Sequence, residues 1–238
     1  MKEKDHVFRR WLTCLKADLQ FQFKQGFYFV YLILLLVYLV LLEQFSPEIV
    51  KLILPILIYI DPSILGMFFI GGIILLEKQQ GILSLLHISP LKVHEYLVSK
   101  LISLSFISLL VGVVLSLFSY QMKTNFIVLV TGIIVSAVFY TLIGMIISTH
   151  SKSINGYFIN VIPWMLLIVI PNFLLLLPNQ VFWFNLIPPL AGLKLVFAAY
   201  YPASGFEILF NMAYLIIIDM ILFVKAKKIV ESKMIFDE

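Results

Sequence analysis

Six apolar runs dominate this sequence: residues 27–42, 52–76, 101–120, 126–148, 157–177 and 208–224. A helix needs about 20 apolar residues to cross roughly 30 Å of hydrocarbon, and the core helix of a soluble domain needs fewer. Hydrophobic side chains make up 62% of the chain and charged ones 13%, against about half and a quarter in a soluble domain. A soluble enzyme, a nucleic-acid-binding module and a disordered tail are excluded. The fold class expected is an all-α integral membrane protein with six transmembrane helices, a single domain spanning residues 1–238.

The basic residues set the expected orientation. With the N-terminus inside, fourteen of the seventeen Lys and Arg fall in inner segments, and only Lys51, Lys123 and Lys194 fall outside. Inner loops carry the excess of Lys and Arg, so both termini are expected in the cytosol of a cell, with residues 225–238 as a cytosolic tail. Within residues 1–26, Phe8, Trp11, Leu12, Leu15 and Leu19 form one apolar stripe. Arg9, Arg10 and Lys16 lie elsewhere around the helix. Such a helix lies in the membrane interface, against lipid, either as an anchor or as a mechanical connector. Cys14, the one cysteine, leaves no internal disulfide and no multi-Cys metal site; acylation and an inert cytosolic thiol are both open to it. Residues 178–207 are aromatic and broken by Pro188-Pro189. They read as an extracellular or re-entrant helical segment, since broken backbone at membrane depth must be buried in protein or face water.

Residues 77–100 form the longest inner loop. Wound as one helix over 77–90, Glu77, Gln80, Ser84 and His87 share a polar stripe, while Ile82, Leu83, Leu85 and Leu86 gather opposite. Pro90 stops the helix. The polar stripe is free to engage a soluble protein, or the segment simply covers apolar side chains. Asp61, followed by Pro62, sits near the middle of the second run. A carboxylate at that depth costs several kcal/mol unless it faces a cavity, pairs or protonates. It therefore points into the protein, either on a substrate path or as a buried group at a proline kink or an external mouth. Asp219 lies close enough to the inner end of the last run to reach interfacial cations, and reads as structural. Small residues every four positions (Ser108, Gly112, Ser116; Gly132, Ser136; Gly144, Ser148) mark helix faces that pack closely.

No phosphate-binding G-x-x-x-x-G-K-[ST] loop, H-E-x-x-H or G-x-S-x-G motif occurs, and the four histidines make no metal set. Work done with ATP must therefore come from another chain.

The spacing Glu77, Gly81, Leu85, Pro90 and Lys100 resembles that of ABC-2 type transporter permeases. The stretch from Asp61-Pro62 through Pro90-Leu91 to Ser99-Lys100 is most similar to the fluoroquinolone-export permease subunits of that family. The resemblance covers the whole six-span layout. It implies a permease that is not itself an enzyme and carries no cofactor. It also implies a separate ABC ATPase holding ATP and Mg, and a second permease subunit, either the same chain or a paralogue. Residues 77–90 become the coupling helix, with Glu77, Gln80, Gly81, Ser84, Leu85, His87 and Pro90 facing the ATPase. The apolar spans themselves suggest a hydrophobic or amphipathic cargo such as a drug, lipid or peptide, with Asp61 on its path in the first of the two readings above. Two other readings stay open: an ion-coupled carrier titrating Asp61, and an intramembrane enzyme. A plasma membrane, bacterial by the resemblance, is the expected location.

Overall fold

The computed structural model describes residues 2–118, 123–170 and 186–232, without the side chains of 2–7, 62–64, 84, 85, 87, 168 and 169. The described residues are mostly helical, joined by short turns, with no strand among them. The helices are α1 (Lys2–Lys24), α2 (Phe27–Glu43), α3 (Pro47–Gln79), α4 (Ile82–Ile88), α5 (Val93–Phe118), α6 (Phe126–Ser148), α7 (Ile154–Val169), α8 (Pro188–Ala198) and α9 (Gly205–Val230). Four of them, α3, α5, α6 and α9, are long and apolar enough to cross a bilayer alone. α1 and α2 together make a fifth candidate, bent by 61°. The bend sits at Gly26, whose φ of 79° is left-handed backbone that glycine adopts without penalty. α2 and α7, with 17 and 16 residues, are shorter than the runs of the other four. Residues 171–177 of the fifth expected span, and Phe182, Trp183 and Phe184 of the aromatic segment, lie outside the described residues. The chain is a multi-pass membrane protein.

Local chemistry sets the helix ends. Asn125, Ser153 and Ser204 each accept a bond from a backbone N–H in the first turn of α6, α7 and α9, the usual remedy for the orphan donors there. Pro47 and Pro188 open α3 and α8, where a missing N–H does no harm. α3 is 33 residues long, about 50 Å at 1.5 Å per residue. It is therefore longer than the roughly 30 Å of hydrocarbon requires.

α6 is the hub, packed against α3, α5, α7, α8 and α9. Its small residues permit this. A Cβ on Gly132 would sit 3.2 Å from Leu195 of α8, and one on Gly144 would sit 2.5 Å from Ile70 and 2.7 Å from the Met67 carbonyl oxygen of α3. Gly112 on α5 gives the same close fit to Ile133 of α6. The four-residue stripes thus seat helices within the subunit. Gly144→Ala is expected to lower stability by about 1–3 kcal/mol, the usual cost of overpacking, because one obstacle is backbone and cannot swing away. Gly72→Ala, whose Cβ meets nothing within 4 Å, should leave the melting midpoint in detergent unchanged or slightly raised. A Gly144→Ala protein as stable as its parent would mean that the α3–α6 seam has slack.

α8 runs back along the start of α6. Ala199 accepts a bond from Asn125 N at 2.8 Å, and Gly192 lies against Ser136 and Tyr59. Ser136 stands ten residues into α6, about 15 Å from its start. The deep end of α8 is pinned by Tyr59, whose hydroxyl donates to the Pro189 carbonyl and meets the Tyr140 hydroxyl at 2.5 Å. Pro188-Pro189 therefore starts a helix where sequence reasoning saw a break.

Candidate functional site

The segment joining α3 to α5 is the candidate site. α3 ends at Gln79, and Gly81 follows with φ 71°, donating its N–H to the Lys78 carbonyl at 3.1 Å. A left-handed glycine just past a helix end is a common stop signal. α4 then runs only seven residues. Its far end is closed by Ser89, whose hydroxyl donates to the Leu86 carbonyl and accepts from Leu91 N, both at 3.2 Å. Lys92 N donates to the Glu95 carboxylate at 2.9 Å and opens α5. The result is a helical knob with Leu83 buried beneath it and Lys78, Gln79, Gln80, Ile88, Pro90 and Lys92 exposed around it. Ile88 stands 83% exposed, an apolar side chain at the tip that sequence reasoning passed over.

One helix over 77–90 is thus corrected to two pieces joined at Gly81, and Glu77 leaves the expected polar stripe. Gln80 sits exposed in the hinge and Pro90 exposed beyond the knob. Ser84, Leu85 and His87 are on α4, with side chains outside the described residues. Glu77 belongs to α3 and turns inward, 5% exposed.

What Glu77 meets is a buried charge cluster. Lys100 Nζ donates to Glu77 Oε1 and to Asp18 Oδ1, each at 2.7 Å. Tyr96 Oη donates to Glu77 Oε2 at 2.6 Å, and Ser99 donates its hydroxyl to Asp18 Oδ2. The ammonium also lies 4.6 Å from the Tyr96 ring centroid. Every carboxylate oxygen has a partner. Beside the cluster, Arg10 pairs with Glu95 at 2.7 Å, and Gln22 Nε2 donates to Ser103 Oγ at 2.8 Å. Three helices, α1, α3 and α5, are thereby bolted together at the base of the knob. Paired charges of this kind hold the three helices together, and no three His, Cys, Asp or Glu among the described residues could hold a metal ion. Spacing marks Lys100 in the sequence, whereas nothing marks Asp18, because an acid among the cations of an amphipathic helix reads as solvated.

Cys14 shares this neighbourhood. Burial, reinforced by the Asp18 carboxylate, pushes its thiol above the ordinary range, so less of the reactive thiolate is present at neutral pH. Maleimide labelling at pH 7.5 is expected to run severalfold slower at Cys14 than at a cysteine placed at exposed Lys92 in a Cys14→Ser background. Equal rates would refute the protected setting.

Asp61 is the second candidate. It is 1% exposed on α3, and both oxygens lack a hydrogen-bond partner among the described residues. Asp219 is 8% exposed on α9. It forms no ion pair with an interfacial cation among the described residues, contrary to expectation, and its Oδ1 is unpartnered.

Comparison with known proteins joins these features to a function. Two Mycobacterium tuberculosis proteins named fluoroquinolones export permease protein, from strains CDC 1551 / Oshkosh and ATCC 25618 / H37Rv, are each 30% identical to this chain. The match covers 194 residues, 80% of this chain and 81% of theirs. The profile of the fluoroquinolones export permease protein family matches residues 9–237, from the amphipathic α1 to the tail, and so takes in the knob, the charge cluster and Asp61. The chain belongs to the fluoroquinolones export permease protein family.

Proposed function

We propose that this chain is the membrane subunit of an ATP-binding cassette exporter of the ABC-2 type, carrying a drug such as a fluoroquinolone, or another hydrophobic or amphipathic compound, out of a bacterial cell. It crosses the plasma membrane six times, with α2 and α7 as the first and fifth spans and both termini in the cytosol. α8 is a re-entrant helix entered from the outer face, and α1 lies in the inner interface against lipid. Two permease subunits, identical or paralogous, enclose the pathway. Two ATPase subunits supply ATP and Mg.

The observation that carries this reading is the hinged knob at Gly81, rooted in a buried joint among α1, α3 and α5. A soluble engine can drive spans only through a surface that it grips and that the spans cannot ignore. Residues 78–92 meet both needs, with Gln80, Gly81, Ser84, Leu85, His87 and Pro90 in the knob and Glu77 in its root. ATP-driven closure of the ATPase dimer shifts the spans between inward-facing and outward-facing states only if its contacts with the knob differ between them. Asp61 lies on the pathway.

Inverted vesicles holding this chain and a co-expressed ABC ATPase test the proposal. Expected is uptake of a fluoroquinolone that needs ATP and persists after a protonophore collapses the proton gradient. Uptake that follows the gradient and ignores ATP would instead favour an ion-coupled carrier built on Asp61.

A further inference from the structure

We propose that Asp61, with the buried Tyr31 near it, forms the binding site for a protonated amine on the exported compound. The inference rests on the drug-export reading and names the chemical class of cargo that reading leaves open. It starts from a contrast within one chain. Asp18 and Glu77 are as buried as Asp61, yet each of their oxygens is bonded and both share Lys100. Asp61 is buried with neither oxygen bonded and with no Lys or Arg paired to it among the described residues. Buried polar groups are nearly always satisfied, so an orphaned one calls for a partner that comes and goes.

Tyr31 on α2 is 3% exposed and lies within electrostatic reach of Asp61, with the Ser108 hydroxyl of α5 beside its own. Tyr38, two turns along α2, also lies within electrostatic reach of Asp61. Two elements, α2 and α3, thus bring a buried unbonded carboxylate and buried tyrosines near one another, and no Lys or Arg among the described residues pairs with that carboxylate. A carboxylate is acceptor-only, and a substituted ammonium brings donors and a positive charge. Tyrosine rings suit the same guest through cation–π attraction. Phe69 packs edge-on against Tyr31 at 5.5 Å, adding an aromatic wall for a flat ring attached to the amine. A neutral cargo could offer Asp61 a hydrogen bond but would leave its charge uncompensated, and an anionic one would oppose it.

A pair of probes separates the outcomes: a fluoroquinolone with a basic piperazine ring, and the same compound acetylated on that ring nitrogen, which removes the cation. Both are given to vesicles carrying the full complex, with wild-type chain, Asp61→Asn, Asp61→Glu or Tyr31→Phe. Expected for Asp61→Asn is a loss of about tenfold in export of the basic compound, the scale of one lost charge-assisted contact. Export of the acetylated compound should stay within about twofold on the same scale. Asp61→Glu should keep the preference for the amine, and Tyr31→Phe should weaken it in part. Binding of the fluorescent basic probe to purified complex should fall in step. Equal losses for both probes, as for a carboxylate that only carries protons or holds the fold, overturn the site while leaving drug export standing. ATP-driven export of neither probe by the wild type overturns the export reading and the site with it.

Discussion

Replacing Lys100 with methionine is expected to destabilise the protein by about 3–5 kcal/mol, the cost of stranding a buried charge whose partner is gone. Two carboxylates depend on this one ammonium, and the side chains of Asp18 and Glu77 are only 8% and 7% exposed. Water cannot take over the role of the lost cation at that depth. The Tyr96 and Ser99 hydroxyls remain as donors, but a hydroxyl does not offset a net charge. The decisive comparison is the triple variant Asp18→Asn, Glu77→Gln, Lys100→Met. Removing every charge of a buried set is often nearly neutral, and both amides keep an oxygen for the Ser99 and Tyr96 hydroxyls. Detergent melting should therefore show the single variant strongly destabilised and the triple variant recovered to near the parent. If Lys100→Met melts with the parent, the cluster does not bind α1 and α3 to α5.

The recovered triple variant then bears on function. Its helices are still joined, but by neutral hydrogen bonds between α1, α3 and α5 instead of a shared cation. A joint that only needs to be stiff will transport at the parental rate with either set. A joint that must loosen and re-form during each cycle will not, because charged and neutral contacts differ in strength by roughly a factor of two.

How much of this was readable beforehand depends on the range of the interaction involved. The membrane class was legible because the cost of apolar surface is summed over each run and needs no partner. The runs that hydropathy bounds at 52–76 and 208–224 became α3 (Pro47–Gln79) and α9 (Gly205–Val230), since a helix continues past the hydrocarbon for as long as its backbone bonds do. Asp61 stood out for the same local reason, its burial cost, and the structure places it inside the protein. Amphipathic periodicity misled at Gly81: the polar spacing runs smoothly through it, but a positive φ there turns the chain. The signal was present in Lys78-Gln79-Gln80-Gly81, a basic last turn followed by glycine. Pro188-Pro189 opens α8 within the helical segment expected over 178–207, since proline is excluded from a helix interior and welcome in its first turn. Asp18 could not be found from the sequence at all. Its partners lie 81 and 82 residues away, and nothing within α1 distinguishes it from a solvated acid.

Ile88→Asp is the sharpest test of the knob, with an expected fall in ATP-driven export of at least about tenfold and no change in folding. The side chain is 83% exposed at the end of α4, so an aspartate there buries no charge and opens no cavity. Surface substitutions of that kind usually stay within about 0.5 kcal/mol. An exposed branched side chain at the tip of a rigid projection is, however, the kind of anchor that fills a partner's pocket. Losing such an anchor at the centre of an interface costs about 2 kcal/mol or more in binding, which is roughly thirtyfold in affinity. Normal melting, weakened co-purification of the ATPase and lost export belong together if residues 82–88 are what the engine grips. Gly81→Ala separates grip from hinge. Left-handed backbone costs a residue with a Cβ about 1–2 kcal/mol, so this variant should keep the ATPase bound while slowing transport per ATP hydrolysed. Intact export in Ile88→Asp would move the docking surface elsewhere on the exposed rim, to Lys78, Gln79 or Lys92, and would leave α4 as a cover over Leu83.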